Sequence, residues 1–270
     1  MKRLVLTFAI LIGLAAPAWA GLVEGVAAYN RGDYATALRE FRPLANHGDS
    51  LAQSYLGFIY DNGQGVPRDY AEAAKWYRKA AKQGEAIAQD KLGFMYGHGR
   101  GVPQDYAEAV KWYRKAAEQG NARAQHNLGF MYSEGRGVPR DYAETVKWYR
   151  KAAEQGYAGS QNNLGLMYDN GEGVPQDYAE AAKWYRKAAK QGEAIAQANL
   201  GFMYFRGEGM PRDLTQAYMW YDLASSRFPP GAAHDRAVRK RDFVAKHMTP
   251  AQIAEAERLA REWKPKVKGK

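Results

Sequence analysis

Apolar and polar positions along most of the chain follow a helical period, which glycine-rich segments interrupt at regular intervals. Ala52, Leu56, Ile59 and Tyr60 fall at i, i+4, i+7 and i+8, the spacing of one apolar helix face. Segment 62–66, which contains two glycines, breaks this helix, and a second amphipathic stretch follows it. The pattern predicts a hairpin of two helices.

The second helix carries its own start and stop signals. Asp69 and Glu72 form a D-x-x-E pair, which predicts a capping box at the N-terminus of the helix. Gly84 is placed to end the helix as its C′ residue. Between these signals lies a stripe that we expect to be buried, formed by Ala73, Trp76, Tyr77 and Ala80.

The hairpin recurs every 36 residues. A Leu-Gly pair marks each first helix, and its glycine would let neighbouring helices approach closely. The pairs are Leu56-Gly57, Leu92-Gly93, Leu128-Gly129, Leu164-Gly165 and Leu200-Gly201. The two stretches 69–89 and 177–197 are identical. Such repetition predicts stacked supersecondary units and not a single globular core.

The first twenty residues have the features of a secretory signal peptide. Lys2 and Arg3 precede the apolar stretch 4–16, and Ala18-Trp19-Ala20 is a small-x-small cleavage site. The stretch has 13 residues, fewer than the roughly 20 that a membrane-spanning helix needs. We therefore expect an exported protein, periplasmic or secreted, with no integral membrane segment after cleavage.

Composition excludes several classes of chemistry. The 270 residues include no cysteine, which rules out disulfides, thiol catalysis, and cysteine-ligated zinc or iron–sulfur clusters. The five histidines show no recurrent ligand spacing, and the G-x-G loops follow a helix, whereas phosphate-binding loops follow a strand. We therefore predict no catalytic, metal or cofactor-binding residues.

The repeated motif resembles the Sel1-like repeat, a relative of the tetratricopeptide repeat. The resemblance rests on the patterns A-x-A-Q-x-x-L-G-x-x-Y and G-x-G-V-P-x-D-Y-x-x-A-x-x-W-Y-x-x-A-A-x-x-G, which recur in phase. It implies an all-α fold, a right-handed α-solenoid of helix hairpins closed by C-terminal capping helices. The predicted organisation is a signal peptide (1–20), a tetratricopeptide-like hairpin (21–47), five repeats (48–228), capping helices (229–264) and a basic tail (265–270).

The resemblance also implies partner binding, since members of this family mostly act as adaptors and scaffolds. We therefore expect an exported, non-enzymatic, monomeric adaptor that binds a protein or peptide on the concave face of the solenoid. One branch of the family has a cysteine pair in every repeat and is linked to β-lactam binding or hydrolysis. A hydrolase acting on β-lactams or cell-wall material is therefore an alternative, although this chain lacks those cysteines.

Candidate binding residues come from two adjacent first-helix positions that vary between repeats while their surroundings repeat. In tetratricopeptide relatives the first helices line the concave groove, where asparagines can bond the backbone of an extended peptide. The alternative is that these positions are exposed and free to drift. The candidates are Tyr55, Asp90, Lys91, His126, Asn127, Asn162, Asn163 and Asn199.

Positive charge is concentrated near the C-terminus and offers a third function. The formal net charge is +10, and the run Arg239-Lys240-Arg241 and the lysines of the tail contribute much of it. These groups could bind an anionic surface such as lipid headgroups, or serve only as a solubilising terminus. The export signal argues against a nucleic-acid partner.

Overall fold

The computed structural model describes residues 19–265, and every regular element in that range is a helix. The first helix, α1, covers residues 19–31. The helices that follow are α2 (Tyr34–Asn46), α3 (Ser50–Asn62), α4 (Tyr70–Lys82), α5 (Ala86–His98), α6 (Tyr106–Glu118), α7 (Ala122–Glu134), α8 (Tyr142–Glu154), α9 (Ala158–Asn170), α10 (Tyr178–Lys190), α11 (Ala194–Arg206), α12 (Leu214–Arg227), α13 (Ala232–Ala245) and α14 (Pro250–Glu262).

The chain divides into two compact units, each built from consecutive helix pairs. Unit 1 runs to Ala124 and includes Arg136–Val138, and unit 2 contains Gln125–Gly135 and the chain from Pro139 onward. In unit 1, α3 packs on α4 and α5 on α6; in unit 2, α9 packs on α10 and α11 on α12. This consecutive pairing confirms the predicted all-α repeat architecture.

The glycine of each Leu-Gly pair lies where two helices of one hairpin come close together. A Cβ built on Gly93 would lie 2.8 Å from Cδ1 of Tyr113, and one on Gly165 would lie 2.7 Å from Cδ1 of Tyr185. Both tyrosines are buried. A larger residue would push the tyrosine away, so the predicted close approach is confirmed in both units.

The second glycine of each inter-helix loop packs against the preceding repeat. Gly101 has φ +70°, and a Cβ there would collide with the carbonyl oxygen of Tyr70 at the start of α4. Gly173 has φ +71° and stands in the same relation to Tyr142. Glycine is required at these positions for two reasons. Other residues rarely adopt this φ, and the neighbouring backbone leaves no space for a side chain.

The D-x-x-E capping box is only half formed, which corrects the prediction from sequence. The Asp69 side chain accepts a hydrogen bond from the backbone N–H of Glu72, as an N-cap residue should. The reciprocal bond is absent because the backbone N–H of Asp69 donates to the carbonyl of Tyr60 (3.0 Å). The Glu72 carboxylate instead pairs with Lys75 at 2.7 Å.

The tryptophans of the second helices are core residues, with one exception. Trp112, Trp148, Trp184 and Trp220 are 5–6% exposed, whereas Trp76 is only partly buried. The difference in exposure follows from the residues against which each tryptophan packs. Trp112 packs among the alanines and Tyr77 of α4, but Trp76 lies at the edge of the N-terminal cluster around Phe41.

Glutamine pairs join four of the first helices, α3, α5, α7 and α9, to second helices; α11 has no such pair, because arginine stands at position 227. In unit 1, Gln53 Nε2 donates to the Ala45 carbonyl at the end of α2, and Gln53 Oε1 accepts from Gln83 Nε2 (2.8 Å) at the end of α4. We call each such pair a glutamine rung. The other rungs are Gln89–Gln119, Gln125–Gln155 and Gln161–Gln191.

The closing helix α14 has a capped N-terminus and a buried apolar stripe. Thr249 and Gln252 form a complete capping box, with Pro250 at the first helical position. Ala256 and Ala260 are buried in the same cluster as residues of α12, and Ile253 and Trp263 pack against that cluster. Arg258 is on the outer side, where it pairs with Glu255 and Glu262.

Candidate partner-binding surface

Each first helix has three residues at i, i+4 and i+7 on one side, and all fifteen residues are at least partly exposed. We call this set the first-helix stripe and describe it separately in each unit. The triplets are Leu51, Tyr55 and Phe58 in α3; Ile87, Lys91 and Phe94 in α5; Arg123, Asn127 and Phe130 in α7; Gly159, Asn163 and Leu166 in α9; and Ile195, Asn199 and Phe202 in α11.

The outer positions of the stripe are apolar in most repeats and exposed, which the sequence analysis missed. Ile87 is 49% exposed in unit 1, and Ile195 is 50% exposed in unit 2. Leu51, Phe130, Leu166 and Phe202 are 38–42% exposed. The signal was present in the sequence, since these apolar residues recur with the period but lie off the face that carries the Leu-Gly pair.

Tyr55 belongs to an aromatic cluster in unit 1. Its ring stacks on Phe41, with the centroids 4.8 Å apart, and meets Tyr29 edge-on at 5.1 Å. Beside it is an open apolar pocket of about 200 Å³ that Leu51 and Ile87 also line. The ring of Tyr55 therefore packs against other aromatic rings and also lines an accessible pocket.

Asp90 and Lys91 take part in charged contacts between helices of unit 1. Asp90 is fully buried, and its carboxylate pairs with the guanidinium of Arg123. Lys91 Nζ lies 3.8 Å from Asp61 Oδ2, at the end of α3. Burial lowers the pKa of Lys91, and the nearby charge of Arg123 lowers it further.

His126 makes a neutral contact in unit 2 at the position that Asp90 occupies one repeat earlier. Its Nδ1 is 2.9 Å from Ser160 Oγ, and its ring lies 5.0 Å from the ring of Tyr157. Burial lowers the pKa of His126 to about 4, so the imidazole is uncharged at neutral pH.

The three asparagines of α9 and α11 form a chain of amide hydrogen bonds. Asn199 Nδ2 donates to Asn162 Oδ1 (3.1 Å), and Asn162 Nδ2 donates to Asn163 Oδ1 (3.2 Å). Asn162 is buried, whereas Asn163 and Asn199 are partly exposed on the stripe. Asn127 is also partly buried, on α7.

The structure divides the eight candidate residues into two sets. Asp90 and Asn162 are buried and His126 is partly buried, and each contacts a neighbouring first helix of its own unit. The residues on the stripe itself are Tyr55, Lys91, Asn127, Asn163 and Asn199. A role for any of the eight in binding a partner stays a prediction, and the stripe residues are the more accessible set.

Other features bear on the alternative functions. Within residues 19–265, no group of three or more His, Asp or Glu side chains is arranged to hold a metal ion, and no helix is long and apolar enough to cross a membrane. Arg241 pairs with Asp222 and Asp242. The predicted signal peptide, apart from its last two residues, and the lysines of the tail beyond Pro265 lie outside the described residues.

Comparison with protein families identifies the repeat from which this helical array is built. The Sel1 repeat model matches five consecutive segments, residues 50–85, 86–121, 122–157, 158–193 and 194–227. The chain belongs to the Sel1 repeat family. Sel1 repeat proteins are generally scaffolds for protein interactions, and their fold is typically non-enzymatic.

Two solved structures are similar to this Sel1 repeat protein. One is c5321, a protective antigen of uropathogenic Escherichia coli strains with an SLR fold, at 39% identity and a TM-score of 0.79. The match covers 91% of this chain and 53% of c5321, so the chain spans about half of that protein. The other is a Sel1 repeat protein from Oxalobacter formigenes, at 32% identity and a TM-score of 0.77, covering 92% and 99% of the two chains. No curated protein matches this Sel1 repeat protein.

Proposed function

We propose that this Sel1 repeat protein is an exported, non-enzymatic adaptor that binds a protein or peptide partner along the first-helix stripe. The observation that carries the proposal is the combination of exposed apolar side chains with a central tyrosine, lysine or asparagine on one helix side. Isolated exposed apolar residues are common on soluble proteins, but their recurrence at the same positions of first helices within each unit is typical of an interaction surface.

The chemistry of the stripe suits an extended peptide. The apolar side chains at the outer positions can cover side chains of the partner, and this burial favours association. The amides of Asn163 and Asn199 can donate to and accept from a peptide backbone, which has one donor and one acceptor per residue. Because amides are uncharged, they lose less hydration energy on contact than charged groups would.

Export is supported by the sequence of residues 1–20, with its basic start, apolar middle and small-x-small end. We propose that the mature chain begins at Gly21, in the periplasm or outside the cell. N-terminal sequencing of protein expressed with the full leader tests this step. A mature chain that still begins at Met1 would contradict it.

A site-specific photo-crosslinker tests the binding surface. We would place it at Ile87 and at Leu166, one position in each unit, and at Lys75 and Lys183 as matched controls. The controls are exposed residues of second helices, each paired with the glutamate three positions earlier. All four substitutions leave the core untouched.

We expect one discrete partner to be crosslinked from the two stripe positions in cells that express the protein at its natural level, and not from the controls. Leu166→Glu in the purified protein should then weaken binding of that partner by about tenfold or more. A partner captured equally from all four positions, or one whose binding is unchanged by Leu166→Glu, would contradict the proposal.

A further inference from the structure

Helices α11, α12 and α13 of unit 2 enclose an open pocket of about 300 Å³ whose accessible lining is mostly apolar. Phe205 and Phe243 meet edge-on across it, with their ring centroids 5.7 Å apart. Phe243 is 50% exposed, an unusual position for a phenylalanine on a helix that is otherwise rich in charge. We call this the basic aromatic pocket; the side chains that line it are Phe202, Phe205, Tyr221, Arg236, Arg239, Lys240, Phe243 and Val244.

Three cations of α13 line the same pocket. Arg236, Arg239 and Lys240 stand at i, i+3 and i+4, so they share one side of the helix with Phe243 at i+7. None of the three forms an ion pair with a carboxylate of residues 19–265, whereas the adjacent Arg241 is paired with Asp222. The positive charge at the pocket is therefore not neutralised by the described chain.

Lys240 holds its charge close to aromatic rings. Its Nζ is 5.3 Å from the centroid of the Phe202 ring and 5.7 Å from that of Tyr221. Its pKa is lowered, mainly by burial and secondarily by the charge of Arg236. An anion bound beside this ammonium would offset both effects, because its negative charge favours the protonated form.

We propose that the basic aromatic pocket binds a peptide segment of a partner protein in which one or two apolar side chains are flanked by carboxylates. The volume of the pocket suits one or two side chains. From Arg236 to Phe243 the helix rises about 10 Å, which three residues of an extended peptide also span. A short segment can thus place carboxylates at the cations and an apolar group between the phenylalanines.

This inference goes beyond the binding proposed for the first-helix stripe and does not depend on it. The two surfaces share Phe202, which ends the stripe in α11 and lines the pocket. Variants of residues that belong to only one surface therefore distinguish the two proposals. Ile195 belongs to the stripe alone, and Phe243 belongs to the pocket alone, and both are 50% exposed.

The test is fluorescence anisotropy with the purified protein and the dye-labelled peptide Glu-Glu-Phe-Leu-Glu-Glu. A second peptide replaces Phe-Leu with Ser-Ser, and a third replaces the glutamates with lysines. Vesicles of phosphatidylglycerol provide an anionic lipid surface as a fourth probe. Phe243→Ala and Lys240→Glu alter the pocket, and the matched controls are Ile195→Ala and Lys246→Glu, the latter an exposed residue just after α13.

We expect the acidic apolar peptide to bind more tightly than either altered peptide. Phe243→Ala and Lys240→Glu should each weaken it about tenfold, and each control should change it less than about twofold. Melting curves that match the wild type would show that all four variants fold.

Three outcomes would overturn the proposal. The first is no binding of the acidic apolar peptide at millimolar concentration. The second is an affinity that Ile195→Ala reduces and Phe243→Ala does not, which would assign the peptide to the stripe. The third is strong vesicle binding that the pocket variants abolish while the peptide does not bind, which would make the pocket a lipid contact.

Discussion

The two units use one first-helix position for different chemistry. In unit 1 this position is Asp90, which forms an ion pair with Arg123, and the adjacent Lys91 pairs with Asp61. In unit 2 the same position is His126 or Asn162, and these contact the neutral groups of Ser160 and Asn199. The apolar core and the loop glycines do not change in this way between the units.

This contrast shows which parts of the repeat are constrained by the fold. The glycine beside the tyrosine is copied in all five repeats because a side chain would not fit there, and the glutamine rung is copied in the first four. The polar contact between first helices requires only complementary partners, and either an ion pair or an amide pair meets that requirement. Sequence variation is therefore concentrated at positions where the fold tolerates several kinds of side chain.

The largest expected loss of stability comes from removing a buried tryptophan, a feature that both units share. Trp112→Ala in unit 1 and Trp148→Ala in unit 2 should each lower the free energy of unfolding by about 3–5 kcal/mol, since both side chains are buried and each indole donates to a glutamate four residues earlier. Urea unfolding followed by circular dichroism measures both losses. A loss below about 1 kcal/mol in one unit only would show that the two cores are not equivalent.

The next loss of stability should differ between the two units. Arg123→Ala removes a charged partner from the fully buried Asp90, and we expect a loss of about 2–3 kcal/mol. Asn199→Ala removes one neutral hydrogen bond in unit 2 and should cost about 1 kcal/mol or less. The same unfolding measurement compares them, and equal losses would mean that charge adds nothing to the contact in unit 1.

The third effect depends on pH and should appear in unit 2. The folded pKa of His126 is about 4, below the usual value of 6.5, so the unfolded chain binds this proton first as pH falls. The stability contributed by the neutral imidazole is complete above about pH 6.5 and is lost between there and about pH 4. At pH 5 the wild type should have lost about 2 kcal/mol that His126→Asn does not lose. Identical pH profiles for the two proteins would show that His126 is hydrated in the folded state.

The helices could be predicted from sequence because the same local signals recur in all five repeats. The 36-residue period, the Leu-Gly pairs and the signals at Asp69 and Gly84 specify where helices begin, end and touch. The D-x-x-E pair wrongly predicted a complete capping box. The backbone N–H of Asp69 donates to the Tyr60 carbonyl instead of to the glutamate, and this bond depends on the folded loop. Trp76 likewise has the motif of its counterparts but a different neighbour.

The candidate surface was predicted only in outline. Variability between repeats singled out first-helix residues, some of which contact each other, such as Asn162 and Asn199. It could not separate buried from exposed members, because a one-residue difference in position turns a side chain by about 100° around the helix. The pairing of Asp90 with Arg123 also depends on how neighbouring first helices are offset, which no local pattern encodes.

The glutamine rungs have a consequence for how such a chain can change length. Each rung joins residues 30 positions apart, as Gln53 and Gln83 do in unit 1 and Gln161 and Gln191 do in unit 2. A gene rearrangement that adds or removes one whole period presents every amide with an equivalent partner, whereas any other insertion within a rung leaves donors and acceptors mismatched. The identical stretches 69–89 and 177–197 are templates for such unequal exchange. We therefore expect natural variants of this chain to differ in length by multiples of 36 residues.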